Sequence, residues 1–128
     1  MAKLILPTEY LMGRDRGHPL TMAQAYNMAD LLARVNWLIS KVGGEYLVTS
    51  GYRPAAINAA VGGARLSAHT TCQAVDLAGN ELARELQKNT QLLEECGLYL
   101  EHPNYTAGAR GQWTHLQCRA TKNRVFIP

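Results

Sequence analysis

The sequence predicts an α+β fold: a small, mainly antiparallel sheet with helices packed on it. Two observations lead there. One long segment, from Thr21 to Val42, carries apolar residues at helical spacing. Several short β-branched, aromatic or alternating segments follow it, and the last two are joined by a Pro- and Gly-bearing loop, as in an antiparallel pair. At 128 residues the chain fits one domain, 1–128, with room for a single hydrophobic core.

Taken in order, Thr21 stands where an N-cap belongs, with Gln24 at the capping-box position. Met22, Ala25, Ala29, Leu32, Val35, Leu38, Ile39 and Val42 then recur at three- and four-residue steps, an amphipathic helix that Gly43-Gly44 ends. Tyr46 to Tyr52 is β-branched and aromatic and reads as a strand closed by Pro54. A short helix starts at Pro54 and stops at Gly62-Gly63. Gln73 to Leu77 is a short strand, and a helix from Asn80 to Cys96 ends at Gly97. Leu98 to Glu101 and Gln112 to Cys118 form the antiparallel pair, and Pro103, Asn104, Gly108 and Gly111 lie between them. Thr121 to Pro128 predicts no element.

Composition narrows the function classes. A net charge of +3 suits approach to an anionic polymer without specifying one, and no Lys/Arg run or basic aromatic stripe marks a nucleic-acid partner. The first apolar run, Leu4 to Leu6, stops at Pro7, so no secretory signal is read and synthesis in the cytoplasm is expected. Nothing approaches the ~20 apolar residues of a membrane span. Cys72, Cys96 and Cys118 cannot all pair and lack Cys-x-x-Cys spacing, which argues against a disulfide framework and a cysteine metal site. Cys96 and Cys118 are expected as reduced, buried small residues. A monomer is expected.

The chemistry gathers around two of the four histidines. Ser67-Ala68-His69-Thr70-Thr71-Cys72-Gln73-Ala74-Val75-Asp76 offers an imidazole and, seven residues on, a carboxylate. Asp76 interrupts an apolar strand, where a buried carboxylate needs an ionic partner or a metal. In Gln112-Trp113-Thr114-His115-Leu116-Gln117, period-two alternation puts Trp113, His115 and Gln117 on one face. Two imidazoles and one carboxylate are a hydrolytic zinc donor set that leaves a position open. Spacing alone also fits an Asp–His ion pair in a polar core, the commoner arrangement.

Three motifs add to this. Ser67-x-His69-x-x-Cys72-x-Ala74-x-Asp76 resembles the Ser-x-His-x-x-Gly-x-Ala-x-Asp signature of the zinc D-Ala-D-Ala carboxypeptidase and dipeptidase family. That family includes phage L-alanyl-D-glutamate endolysins and is related in fold to the hedgehog signalling domain. Thr49-Ser50-Gly51-Tyr52-Arg53-Pro54 resembles its Ser-Gly-Tyr-Arg element, and Trp113-Thr114-His115-Leu116 its Trp-x-His strand. Tyr10 to Asp15 and Leu98 to Pro103 are similar to short phage- or prophage-borne members. The resemblance implies Zn2+ held by His69, Asp76 and His115, and hydrolysis of peptide bonds in peptidoglycan stem peptides. It further implies action on the cell wall, in phage lysis or as a virion component.

The same resemblance implies Arg53 as the anchor of a substrate carboxylate or oxyanion, a task suited to a planar guanidinium fork. Ser67 and Gln112 are candidate substrate contacts, Ser67 alternatively a turn cap, and Gln112 and Gln73 are also candidate hydrogen-bonding partners in the site. Two positions depart from the pattern. Cys72 replaces the signature glycine, as a tolerated small residue or a metal-approaching thiolate. Gln112 stands where many relatives carry an acidic general base, and an amide cannot accept a proton from water. Glu101 is the expected replacement base and His102 the second candidate. The alternative that Gln112 favours is a non-catalytic metal-binding module that recognises wall peptides. Trp113 is expected in the core, and His18 in an exposed loop.

Overall fold

Helix α1 (Pro7–Leu11) comes first in the computed structural model, which describes residues 2–128. Proline suits a first helical turn, where its missing N–H has no partner to lose. The Glu9 carboxylate accepts the Leu6 N–H at 2.9 Å. Tyr10, its one buried side chain, donates its hydroxyl to the Ala74 carbonyl at 2.8 Å.

Helix α2 (Met22–Val42) has the expected capping box. Thr21 Oγ1 accepts the Gln24 N–H, and Gln24 Oε1 accepts the Thr21 N–H. Leu31, Leu32, Val35, Leu38 and Ile39 form its buried stripe. The expected stripe is too long, however: Met22, Ala25, Ala29 and Val42 are exposed. At the helix's start the inward contacts are polar, because Gln24 and Asn27 donate to the carbonyls of Thr70 and Thr71.

Strand β1 (Val48–Ser50) is shorter than expected. Past it, the Tyr52 N–H leaves the ladder and donates to the Tyr10 carbonyl at 3.2 Å. Helix α3 (Ala55–Ala60) and strand β2 (Ala74–Ala78) fall where expected. The long helix after them is two, α4 (Glu81–Lys88) and α5 (Thr90–Cys96). Asn89, with φ −132° and ψ 68°, breaks it, a residue type whose side chain competes with the backbone for hydrogen bonds. Strands β3 (Tyr99–Glu101), β4 (Ala107–Gly108), β5 (Gly111–Gln117) and β6 (Val125–Phe126) complete the chain. The last lies in the tail left without an element.

The sheet order is β1-β2-β5-β3-β6, with β4 folded onto β5. Every pair is antiparallel except β3 with β6. Register sorts the two faces. Val75, Leu77, Leu100 and Leu116 are fully buried in the core beneath the helices. On the opposite face Asp76 pairs with His115, Ala74 with Gln117, and Tyr99 with Gln117. Each of those core leucines contributes roughly 1.5–3 kcal/mol by its burial, so a one-residue slip that exchanged the faces is strongly opposed.

Candidate metal centre

Asp76 is the centre of the constellation. Its neighbours Val75 and Leu77 point into the core, so alternation turns the carboxylate to the other face, directly across the ladder from His115. Asp76 Oδ1 lies 2.8 Å from His115 Nδ1, and Oδ2 lies 3.2 Å from His69 Nε2. The donor atoms of His69, Asp76 and His115 all fall within 4.8 Å of one another, and all three residues are buried.

The backbone places His69. Ser67 Oγ accepts the His69 N–H at 3.2 Å, and the Gln73 N–H closes onto the Ala68 carbonyl at 2.8 Å. His69 Nδ1 donates to the Gly51 carbonyl at 2.9 Å, since a carbonyl can only accept. This fixes the tautomer and leaves the Nε2 lone pair facing the carboxylate. His69 Nε2 is buried and makes no hydrogen bond. A buried polar atom without a partner is unfavourable in a protein interior, and a cation is the partner a lone pair accepts. His115 is held alike from behind by Gln117 Oε1, 2.7 Å from its Nε2. Phe126 packs edge-on against the ring, centroids 5.9 Å apart. Two nitrogens and one carboxylate oxygen fit a zinc ion with an open coordination position.

Charge is managed internally. Burial pushes the Asp76 pKa up, but the hydrogen bond from His115 and the adjoining His69 imidazole outweigh it and hold the carboxylate ionised well below the usual range. Burial lowers His69 and keeps it neutral. Burial also works against charge on His115, yet the adjoining Asp76 carboxylate raises it above an ordinary imidazole.

Arg53 stands beside the carboxylate. Its Nη2 donates to Asp76 Oδ2 at 3.2 Å, Nε to Ser50 Oγ at 2.8 Å and Nη1 to Asn58 Oδ1 at 3.2 Å. Asn58, buried on α3, donates in turn to the Ala64 carbonyl at 2.7 Å. Gly63 makes room for the pair: a Cβ there would stand 2.1 Å from Asn58 Oδ1. Glu101 shares the sheet face of Tyr99, and hence that of Gln117 and His115. It is half-buried, and burial raises its pKa.

The other candidates lie further out. His102 faces away, with Nε2 2.9 Å from Gln87 Nε2 and Nδ1 accepting the Asn104 N–H. Ser67 Oγ caps the turn. Gln112 is exposed and alternates with Thr114 and Leu116, away from His115. Gln73 bonds Thr71 and Arg119 rather than a donor residue. Trp113 is half-buried and His18 exposed. Cys72 is fully buried at φ 60°, the left-handed backbone that its signature glycine suggests. Burial pushes its thiol up to about 11, so it stays protonated, outside the donor group.

Sequence reasoning gave no role to Asn58, Gln117, Ser50, Phe126 or the Gly51 carbonyl. Gln117 carried a signal in its place on the His115 face, and Ser50 and Gly51 in the Ser-Gly-Tyr-Arg element.

The sheet and the buried donors define a class: a small α+β protein whose two imidazoles and one carboxylate could hold a single metal ion. The chain belongs to the peptidase M15 family, whose model matches residues 10–117. M15 peptidases are zinc-dependent metallopeptidases, in keeping with the buried His69, Asp76 and His115. No curated protein and no solved structure gives a significant match. Among the described residues, no helix is long and apolar enough to cross a membrane.

Proposed function

We propose that the chain is a single-domain zinc peptidase that hydrolyses peptide bonds in bacterial peptidoglycan stem peptides, with His69, Asp76 and His115 as its ligands. The observation that carries the reading is the buried His69 Nε2 lone pair, without a hydrogen-bond partner and aimed at Asp76. Zinc bound there supplies a Lewis acid for the scissile carbonyl and lowers the pKa of water toward ~7. Glu101 takes a proton from the attacking water and passes it to the leaving amine. Its position on the His115 face and its raised pKa support that role. Arg53 holds Asp76 in place, and of its five N–H groups three are engaged, which leaves two for a substrate carboxylate or carbonyl. The likeness of Tyr10–Asp15 and Leu98–Pro103 to short phage-borne members supports work in phage lysis or wall entry.

Muropeptides incubated with the zinc-loaded protein test this directly. Products released without chelator and suppressed by it are expected. Their termini distinguish a D-Ala-D-Ala carboxypeptidase from an L-alanyl-D-glutamate endopeptidase. Peptide binding with zinc present but no cleavage would instead establish the non-catalytic module, the reading that Gln112 favours.

A further inference from the structure

The loop from Leu66 to Gln73, which carries His69, is held from two sides. On one, Gln24 and Asn27 of α2 donate to the Thr70 and Thr71 carbonyls at 3.0 and 3.1 Å. On the other stands Arg119, two residues past β5. Its guanidinium donates to the Leu66 carbonyl at 2.6 Å, Thr71 Oγ1 at 2.8 Å and Gln73 Oε1 at 3.3 Å. Thr71 Oγ1 donates onward to Gln73 Oε1 at 2.7 Å. These acceptors flank His69 in sequence, so one rigid fork closes the loop around it. Within that span Cys72 takes φ 60°, a conformation that persists only where its surroundings over-determine it.

The backbone of the same residue acts on the other imidazole. The Arg119 carbonyl accepts from Gln117 Nε2 at 2.9 Å. A carbonyl cannot donate, so the amide is oriented with Oε1 toward His115 Nε2. That nitrogen then carries a ring proton, so Nδ1, which faces Asp76, is the one left to turn a lone pair to a metal once its own proton is shed.

We propose that Arg119 is a positioning residue of the metal centre: it touches neither imidazole and supports both, His69 through its side chain and His115 through its carbonyl and Gln117. The inference rests on His69, Asp76 and His115 being the ligands. Arg119 lies beyond the residues 10–117 that the family model matches, so the family match assigns it nothing.

The test is metal binding by Arg119→Gln. Zinc affinity is read by competition with a chromophoric chelator, coordination geometry by the visible spectrum of the cobalt-loaded protein, and folding by circular dichroism of the metal-free chain. Zinc affinity is expected to fall ~10- to 100-fold, the usual effect of removing a group that orients a ligand, with displaced cobalt bands in a folded protein. Both Arg119→Gln and Arg119→Lys keep the carbonyl on Gln117, so the spectral change reports the placement of His69. Arg119→Lys should bind between the two, because one ammonium cannot span three acceptors. Thr71→Val removes one acceptor without touching β5 and should weaken zinc several-fold. Wild-type affinity and cobalt spectrum in Arg119→Gln overturn the proposal. If that variant does not fold, wild-type values in both Arg119→Lys and Thr71→Val overturn it. A wild type that binds neither ion overturns the ligand assignment, and this inference with it.

Discussion

Replacing Asp76 with asparagine keeps the side chain's shape and removes its charge, so its consequences follow from the partners around it. Arg53 Nη2, His69 Nε2 and His115 Nδ1 all lie within 3.2 Å of the carboxylate. Stripping one member from a buried ion pair costs about 3–5 kcal/mol. The lower end applies here, because Ser50 and Asn58 still accept from Arg53, and His115 can shed its proton. In a domain of this size about 3 kcal/mol corresponds to a Tm lower by roughly 12 °C, at ~4 °C per kcal/mol. That drop should appear in chelator, with no metal involved. Zinc adds a second difference. At a free concentration ~1,000 times its Kd a ligand stabilises by about 4 kcal/mol. Loss of a donor must weaken zinc at least ~100-fold, the larger effect of losing a group that merely orients one. The gain for Asp76→Asn is then about 1.4 kcal/mol at the same zinc concentration. Thermal melts of both proteins, in chelator and at fixed free zinc, separate the two parts. An equal zinc-induced rise in Tm for both proteins would remove Asp76 from the ligand set. A chelated Tm within two or three degrees, by about the same conversion, would refute the ion-pair arithmetic.

Two further outcomes are expected. Glu101→Gln should retain zinc yet lower muropeptide turnover ~10²-fold or more, the scale of losing a general base. Since the base must be ionised, wild-type activity should also fall as pH drops through the raised Glu101 pKa, an acid limb that Glu101→Gln lacks; wild-type turnover in the variant would place the base elsewhere. Gly51→Ala would put a Cβ 1.9 Å from the Tyr10 carbonyl, a backbone atom that cannot swing aside. Urea unfolding should show a loss at or above the ~1–3 kcal/mol of ordinary overpacking, together with weaker zinc binding, because the Gly51 carbonyl orients His69. Unchanged stability would mean that α1 is free to move off this strand.

The legible parts of the molecule were those with a local physical signal. The ladder from Ala74↔Gln117 to Ala78↔Trp113 follows a period of two, and that period alone put His115 and Gln117 on one face. The Thr21–Gln24 cap is a contact across three residues. What escaped depends on partners far along the chain or on elements too short to have a period. Tyr10 meets Ala74, and the five residues of α1 and two of β6 carry no pattern. Asn58 looks like any polar residue on an alanine-rich helix until Arg53 is brought to its amide. The motif pointed to Arg53 as a substrate anchor. Three of its donors go to Ser50, Asn58 and Asp76, bonds that only the folded chain reveals.

Cys72 joins the two kinds of information. Its position wants the left-handed backbone that glycine adopts freely, and an L side chain there gives up roughly 1–2 kcal/mol. The departure persists because the side chain is fully buried among the core residues next to Tyr10, and burial of even one methylene-sized group returns ~0.8 kcal/mol. Packing thus offsets part of the backbone cost. That balance leaves the turn strained, and a strained turn keeps its shape only by external bonds. The bonds on either side of Cys72 come from Asn27 on α2 and Arg119 past β5, both to Thr71, with Arg119 reaching on to Gln73. The placement of His69 therefore depends on side chains of α2 and of the segment past β5 as well as on the turn itself.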